Sequence, residues 1–282
     1  MDKLKKLKKP TWIIVLIISV LVLAVGAYLL INYLTQDDIG RGDITSSEYP
    51  TSAPRPHTKH AQEHTEAPTE PGPVVAYDYQ LEELDEDVVV SFDELMEINP
   101  DVYAWIYIPN TNVDYPVAQS ITDRDDTFYL SHNIYKQYQF SGTIYSEVQN
   151  STDFHDRVTV LYGHNMLNGT MFASLHNFED EDFFEDNNTI FILTKDKQLT
   201  YLVYSAYTYD DRHILNSFYL KDDKVFQEYI DSTIHPHAYS SIVREGVEPD
   251  INSKILTLST CTNGAANTRF LVQGVLVDER DR

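Results

Sequence analysis

The hydrophobic pattern of the chain opens with an uncharged run from Trp12 to Leu34. At about 1.5 Å per residue a helix of this length reaches roughly 35 Å, enough to cross a hydrocarbon core of about 30 Å. A cleavable leader would have an apolar stretch of only about 7–15 residues and a small-residue cleavage site. This run is longer and ends in Leu30-Ile31-Asn32-Tyr33-Leu34, so it reads as an uncleaved anchor. Lys3, Lys5, Lys6, Lys8 and Lys9 precede it, which keeps the N-terminus cytoplasmic and sends everything after Leu34 outside. Trp12 and Tyr33 sit where interfacial aromatics belong. From about Thr35 to Val74 apolar periodicity disappears and Pro, Thr, Ser, Glu and His dominate. Such a segment cannot bury enough surface to order itself and reads as a tether, with a coil span of roughly 35 Å.

From Val88 the texture becomes globular. Ser91 to Ile98 carries an N-capping serine, acids in the first turn and apolar spacing at Phe92, Leu95 and Met96, which predicts a short helix stopped at Asn99-Pro100. Strands are predicted at Val102 to Ile108, Tyr115 to Gln119, Gly142 to Tyr145, Val158 to Tyr162, Thr189 to Leu193, Leu199 to Tyr207, Lys254 to Thr260 and Arg269 to Val277. Two helices interrupt them: a short one over Thr170 to Leu175, and one from Asp222 to Ile234 with Val225, Phe226, Tyr229 and Ile230 on one face. Asn168-Gly169 reads as a turn. The expected fold is mainly β with a few helices, its eight strands favouring a closed barrel or a sandwich. The layout is a cytoplasmic basic segment (1–11), a transmembrane anchor (12–34), a flexible extracellular linker (35–80) and a globular domain (81–282).

Charge narrows the partners. The chain has 44 acidic against 21 basic residues, and five of the latter are the N-terminal lysines, so the outer part is strongly negative. Such a surface repels phosphate backbones and excludes nucleic acid as a partner, and it suits an exported, soluble domain. His57, His60 and His64 lie in the Pro/Thr/Glu tether, where no second shell can orient them. No metal or cofactor is assigned.

Cys261 is the only cysteine, so no intrachain disulfide exists, and exterior domains that use thiols structurally usually pair them. It ends the apolar run Ile255-Leu256-Thr257-Leu258-Ser259-Thr260-Cys261, and Arg269 opens the next run. A nucleophilic thiol needs a base and a stabiliser of developing charge, for which His164, in Leu161-Tyr162-Gly163-His164-Asn165-Met166, and Arg269 are candidates. An unperturbed cysteine at neutral pH is about 3% thiolate and an unperturbed histidine about one quarter cationic, so the uncoupled reactive pair is under about 1%. Nearby Arg269 and a protonated His164 would both raise the thiolate fraction. Arg269 suits either a tetrahedral oxyanion or substrate carbonyls. Asn165 and Asn263 are turn formers that could alternatively orient the imidazole.

Taken together, Leu161 to Met166, Thr257 to Cys261 and Arg269, in the order His, Cys, Arg and behind an N-terminal anchor, resemble the sortases. Asn99 to Pro109 and Asp114 to Val117 resemble the opening of that domain, so the likeness covers roughly Ser91 to Asp278. The Asp222 to Ile234 helix, with the N-terminal helix, points to class B rather than class A. The resemblance implies an eight-stranded barrel in which Cys261, His164 and Arg269 meet at one end as catalytic residues, with Ser259 and Thr260 against the bound peptide. For those two, β-propensity is an equal reading.

It further implies a membrane-anchored cysteine transpeptidase. That enzyme would cleave a C-terminal sorting signal after a threonine through a thioacyl intermediate and pass the surface protein to an amine of a peptidoglycan precursor. Three alternatives stand beside it: a class B pilus polymerase joining pilin subunits with a pilin amine as acceptor, a cysteine peptidase of another fold, and a non-catalytic tethered binding domain. A papain-like peptidase would carry its cysteine at a helix start and before the histidine, the reverse of the order here.

Overall fold

The computed structural model describes residues 79–84, 90–121, 125–263 and 267–282, with residues 25–26 and the backbone of Lys59–His60 and Val74–Val75. The chain divides into two units, Met1–Asp43 and Ile44–Arg282, and the fold that follows is that of the second. The expected anchor falls almost wholly outside the described residues, as do the side chains of His57, His60 and His64 and most of the linker.

Eight strands form the body: β1 Val102–Tyr107, β2 Asp114–Gln119, β3 Ile144–Ser146, β4 Val158–Tyr162, β5 Thr189–Thr194, β6 Lys197–Asp210, β7 Ile255–Cys261 and β8 Thr268–Asp281. Around the ring the order is β1-β2-β3-β4-β7-β8-β6-β5, and β5 pairs back onto β1 to close it. Closure removes the open edges that would otherwise invite pairing with other chains. The β2–β3 and β4–β7 pairs are parallel and the rest antiparallel. The parallel β4–β7 pair brings together the strands that lead to His164 and Cys261, which are far apart in the chain. A short strand, Ser241–Val243, adds to the outer part of β6.

Alternation along these strands sorts residues between two cores. Leu256 and Leu258 of β7 and Phe270 and Val272 of β8 turn into the barrel with Ile106, Ile192 and Leu161. Their sequence neighbours Ile255, Leu271 and Val275, together with Val158 and Val160, face outward under helix α3 (Asp223–Ile234), which covers them with Phe226, Tyr229 and Ile230. The Tyr229 hydroxyl meets Thr257 Oγ1 at 3.0 Å, and Thr257 donates to Gln273 Oε1 at 2.7 Å. Asp222 is the cap of α3 rather than its first residue, accepting from the amides of Lys224 and Val225. Arg244 is buried beside the barrel, where it donates to the Val203 carbonyl at 2.8 Å and to Glu185 at 2.9 Å and stacks over Phe184.

Three local expectations change. Ser91 precedes α1 (Phe92–Ile98), but its side chain makes no capping bond. The short helix after the histidine loop is a 3₁₀ helix over Ala173–Glu179, not Thr170 to Leu175. Met171 has φ 57°, Asn165 and Met171 form an isolated bridge, and the Phe172 amide donates to the His164 carbonyl at 2.9 Å, so residues 170–172 fold back on the histidine loop before any helix begins. A further helix, α2 (Glu181–Asp186), follows directly, with Asp180 accepting from the Phe183 amide as its cap. Packing begins slightly before residue 90: Tyr79 and Leu81 lie against the outer core, and Val74–Val75 pairs with Val247–Glu248.

Candidate active site

The register of β7 and β8 positions the site. In β7 the residues 255, 257, 259 and 261 share the outward face, and in β8 so do 269, 271, 273 and 275. Cys261 and Arg269 are direct cross-strand partners at the end of this face, and Tyr209 of β6 lies opposite Arg269 on its other side. The thiol is therefore outside the barrel, and it is exposed. Tyr162 continues the same face on β4 opposite Ser259, and its ring stacks on Tyr145 at 5.4 Å.

Beyond the covered core a cleft of about 320 Å³ is lined by His164, Cys261, Arg269, Tyr162 and Tyr209, with Ser259 and Thr260 also in its wall. Thus the three residues singled out from sequence come together. Ser259 and Thr260 are buried, and the Thr260 hydroxyl donates to the Gly163 carbonyl at 2.8 Å. The Gly163 amide in turn donates to the Ser259 carbonyl at 3.2 Å. These two bonds clip the histidine loop to the cysteine strand.

Gly163 is required at that clip. A Cβ there would lie 2.5 Å from Ile144 Cδ1 and 2.7 Å from the Phe172 ring.

His164 is held on two sides. Its Nε2 lies 2.8 Å from the Leu130 carbonyl and its ring stacks on Phe140 at 5.2 Å. A carbonyl only accepts, so Nε2 carries the hydrogen and Nδ1 is left with the exchangeable lone pair. Burial pushes the imidazole below its ordinary value, partly offset by the Leu130 bond. Burial thus disfavours the cationic form of the ring, the form that would raise the thiolate fraction.

Arg269 donates to the Thr268 carbonyl at 3.1 Å and forms no ion pair among the described residues. Its charge opposes the rise that burial imposes on the phenols of Tyr145 and Tyr162. The hydroxyls of Tyr162 and Tyr209 have no hydrogen-bond partner among the described residues. At the rim His213 Nδ1 accepts from the Asn216 amide, so its Nε2 donates to Glu147 Oε2 at 2.5 Å. Burial raises the Glu147 carboxyl, and His213 opposes that rise.

Asn165 does not touch the imidazole of His164. Its Nδ2 lies 3.0 Å from the Cys261 carbonyl and 2.9 Å from Asn263 Oδ1. Sequence reading missed His176, whose Nε2 lies 3.0 Å from that same carbonyl. The signal available was its i,i+3 spacing to Glu179.

A closed barrel that sets an exposed thiol across one strand pair from an arginine, in one cleft with an imidazole, has the composition of a cysteine acyl-transfer domain. A family model described as "Sortase domain" matches residues 106–277. Sortase B of Listeria monocytogenes is 32% identical over 189 residues, 65% of this chain and 73% of that one. Sortase B of Staphylococcus aureus is 30% identical over 185 residues, covering 65% and 72%.

Among solved structures, a mutant form of Clostridium perfringens sortase B aligns with TM-score 0.60 at 31% identity over 66% of this chain and 86% of that one. A Staphylococcus aureus sortase B–substrate complex aligns with TM-score 0.58 at 26% identity over 66% and 84%. The chain belongs to the sortase family of transpeptidases, within class B.

Proposed function

We propose that this protein is a membrane-anchored transpeptidase that joins surface proteins bearing a C-terminal sorting signal to an amine of a peptidoglycan precursor. The observation that carries the reading is the cross-strand pairing of an exposed Cys261 with an Arg269 that has no carboxylate partner among the described residues, in the cleft that also holds His164.

In the first step His164 Nδ1 takes the proton of the Cys261 thiol, and the thiolate attacks the carbonyl carbon of the peptide bond after threonine. The Arg269 guanidinium faces the oxyanion that forms or the adjoining substrate carbonyls, in a cleft where its charge is poorly screened. Collapse breaks the C–N bond, and the leaving amine takes a proton from His164 Nδ1, giving a thioacyl-enzyme. The incoming amine then attacks the thioester, gives its proton back to Nδ1 and expels the thiolate. The substrate lies extended along the cleft, whose wall includes Tyr162 and Tyr209. Ser259 and Thr260 form the wall beneath it. The anchor 12–34 and the tether between it and Val74 hold the domain outside the membrane, where both partners are found.

The test is turnover of a library of threonine-containing sorting-signal peptides with and without added amine acceptor. Amine-linked product that depends on acceptor, and is lost in Cys261→Ala with folding retained, is expected. Hydrolysis alone, indifferent to added amine, points to a peptidase, and turnover by Cys261→Ala contradicts the site.

A further inference from the structure

The 3₁₀ helix Ala173–Glu179 has three residues per turn, so His176 and Glu179 lie one above the other on one face. His176 Nδ1 sits 2.5 Å from Glu179 Oε1, and its ring is stacked on Phe270 at 4.9 Å and 23°. On its other side Nε2 lies 3.0 Å from the Cys261 carbonyl and 3.1 Å from Asn165 Nδ2. Counting hydrogens assigns this cluster. Asn165 Nδ2 has two hydrogens and two acceptors close by, Asn263 Oδ1 and the Cys261 carbonyl. If His176 Nε2 were a lone pair accepting from Asn165, it would face the lone pairs of the Cys261 carbonyl at 3.0 Å. An Nε2–H aimed at that carbonyl removes the clash and leaves Asn165 fully used. On the other side of the ring Nδ1 is held against Glu179 Oε1.

We propose that His176, oriented by Glu179, is a positioning residue for Cys261. It does not line the cleft, so it acts through the nucleophile's backbone and not on substrate. Nε2 of the ring faces the residue of the nucleophile, and Glu179 lies on the far side. Two donors, from His176 and Asn165, fix the carbonyl of the last residue of β7, beyond which the chain leaves the sheet. Two N–H donors on that carbonyl hold the sulfur's residue at the mouth of the cleft and favour negative charge there.

The inference rests on Cys261 being the nucleophile, and its test avoids any peptide. The chain has one cysteine, so iodoacetamide added to the full-length protein at pH 7 alkylates a single thiol, followed by intact mass. His176→Ala is expected to slow alkylation about 10-fold, the scale of one hydrogen bond. His176→Gln, whose amide N–H reaches the same carbonyl, is expected to return to within about threefold of the parent. An unchanged rate in His176→Ala, or no recovery in His176→Gln, overturns the proposal. Because His176→Ala could unfold, nitrogen NMR of the histidine-labelled parent protein provides a second reading. A hydrogen on His176 Nε2 is expected, and a ring whose one hydrogen is on Nδ1 overturns the assignment. A protein that shows these results but fails to turn over any peptide faults the transpeptidase reading and leaves His176 in place.

Discussion

At the residue scale the site depends on how two ring nitrogens of His164 are used. Nε2–H is committed to Leu130, and burial holds the ring's pKa below its ordinary value. The unfolded chain therefore takes up a proton on this residue at higher pH than the folded one. Folded-state stability should fall as pH drops through about 6.5 and level off below the lowered folded value. His164→Gln removes that component. Unfolding free energies of the two proteins at pH 7.5 and 5.5 should diverge, with the parent losing more on acidification, and a difference independent of pH contradicts the burial argument. Cys261, His164 and Arg269 were legible in sequence through their joint pattern, the order His, Cys, Arg at strand ends that resembles the sortases, and not one by one. His176 was not, since its role comes from a 3₁₀ turn and a carbonyl that no local pattern marks.

At the scale of elements, the parallel β4–β7 pair and its extension through Gly163 bring base and nucleophile together. Gly163→Ala forces its Cβ against Phe172 and Ile144, and the displaced backbone carries the bonds to Ser259 and Thr260. The expected cost is about 1–3 kcal/mol in urea unfolding. Peptide turnover should drop further than the unfolded fraction explains, and an unchanged unfolding midpoint contradicts the packing.

All eight strands were readable, because Val, Ile, Tyr and Thr runs broken by turns reflect a half-buried sheet directly. Closure was less readable, since eight such strands make a sandwich equally well and only the β5–β1 pairing decides. The helix α3 was visible in its apolar face. The 3₁₀ helix was misplaced by three residues because Met171 adopts a positive φ that its side chain does not announce.

At the scale of the whole molecule, charge and topology fit a domain working outside a membrane. We propose opposite sides for the two ends, on the lysines before Trp12 and the acidic excess after it. In intact cells an epitope at the N-terminus should be protected from added protease while one at the C-terminus is removed, and the reverse pattern contradicts the orientation. Anchor and tether were read from composition alone, while the fold describes the domain they carry. In that domain the outward face of β7 and β8 is divided between a core covered by α3 and a cleft left open beyond it.

The central claim is that the sulfur of Cys261 becomes acylated by a peptide carbonyl within that cleft. Intact-mass spectrometry of the protein mixed with a sorting-signal peptide library tests it most directly, with no acceptor amine present. The account predicts a mass increase equal to the peptide's N-terminal fragment, localised to Cys261, reversed by added amine and missing in Cys261→Ala. No adduct on a reactive thiol across the library, or an adduct that persists in Cys261→Ala, contradicts it.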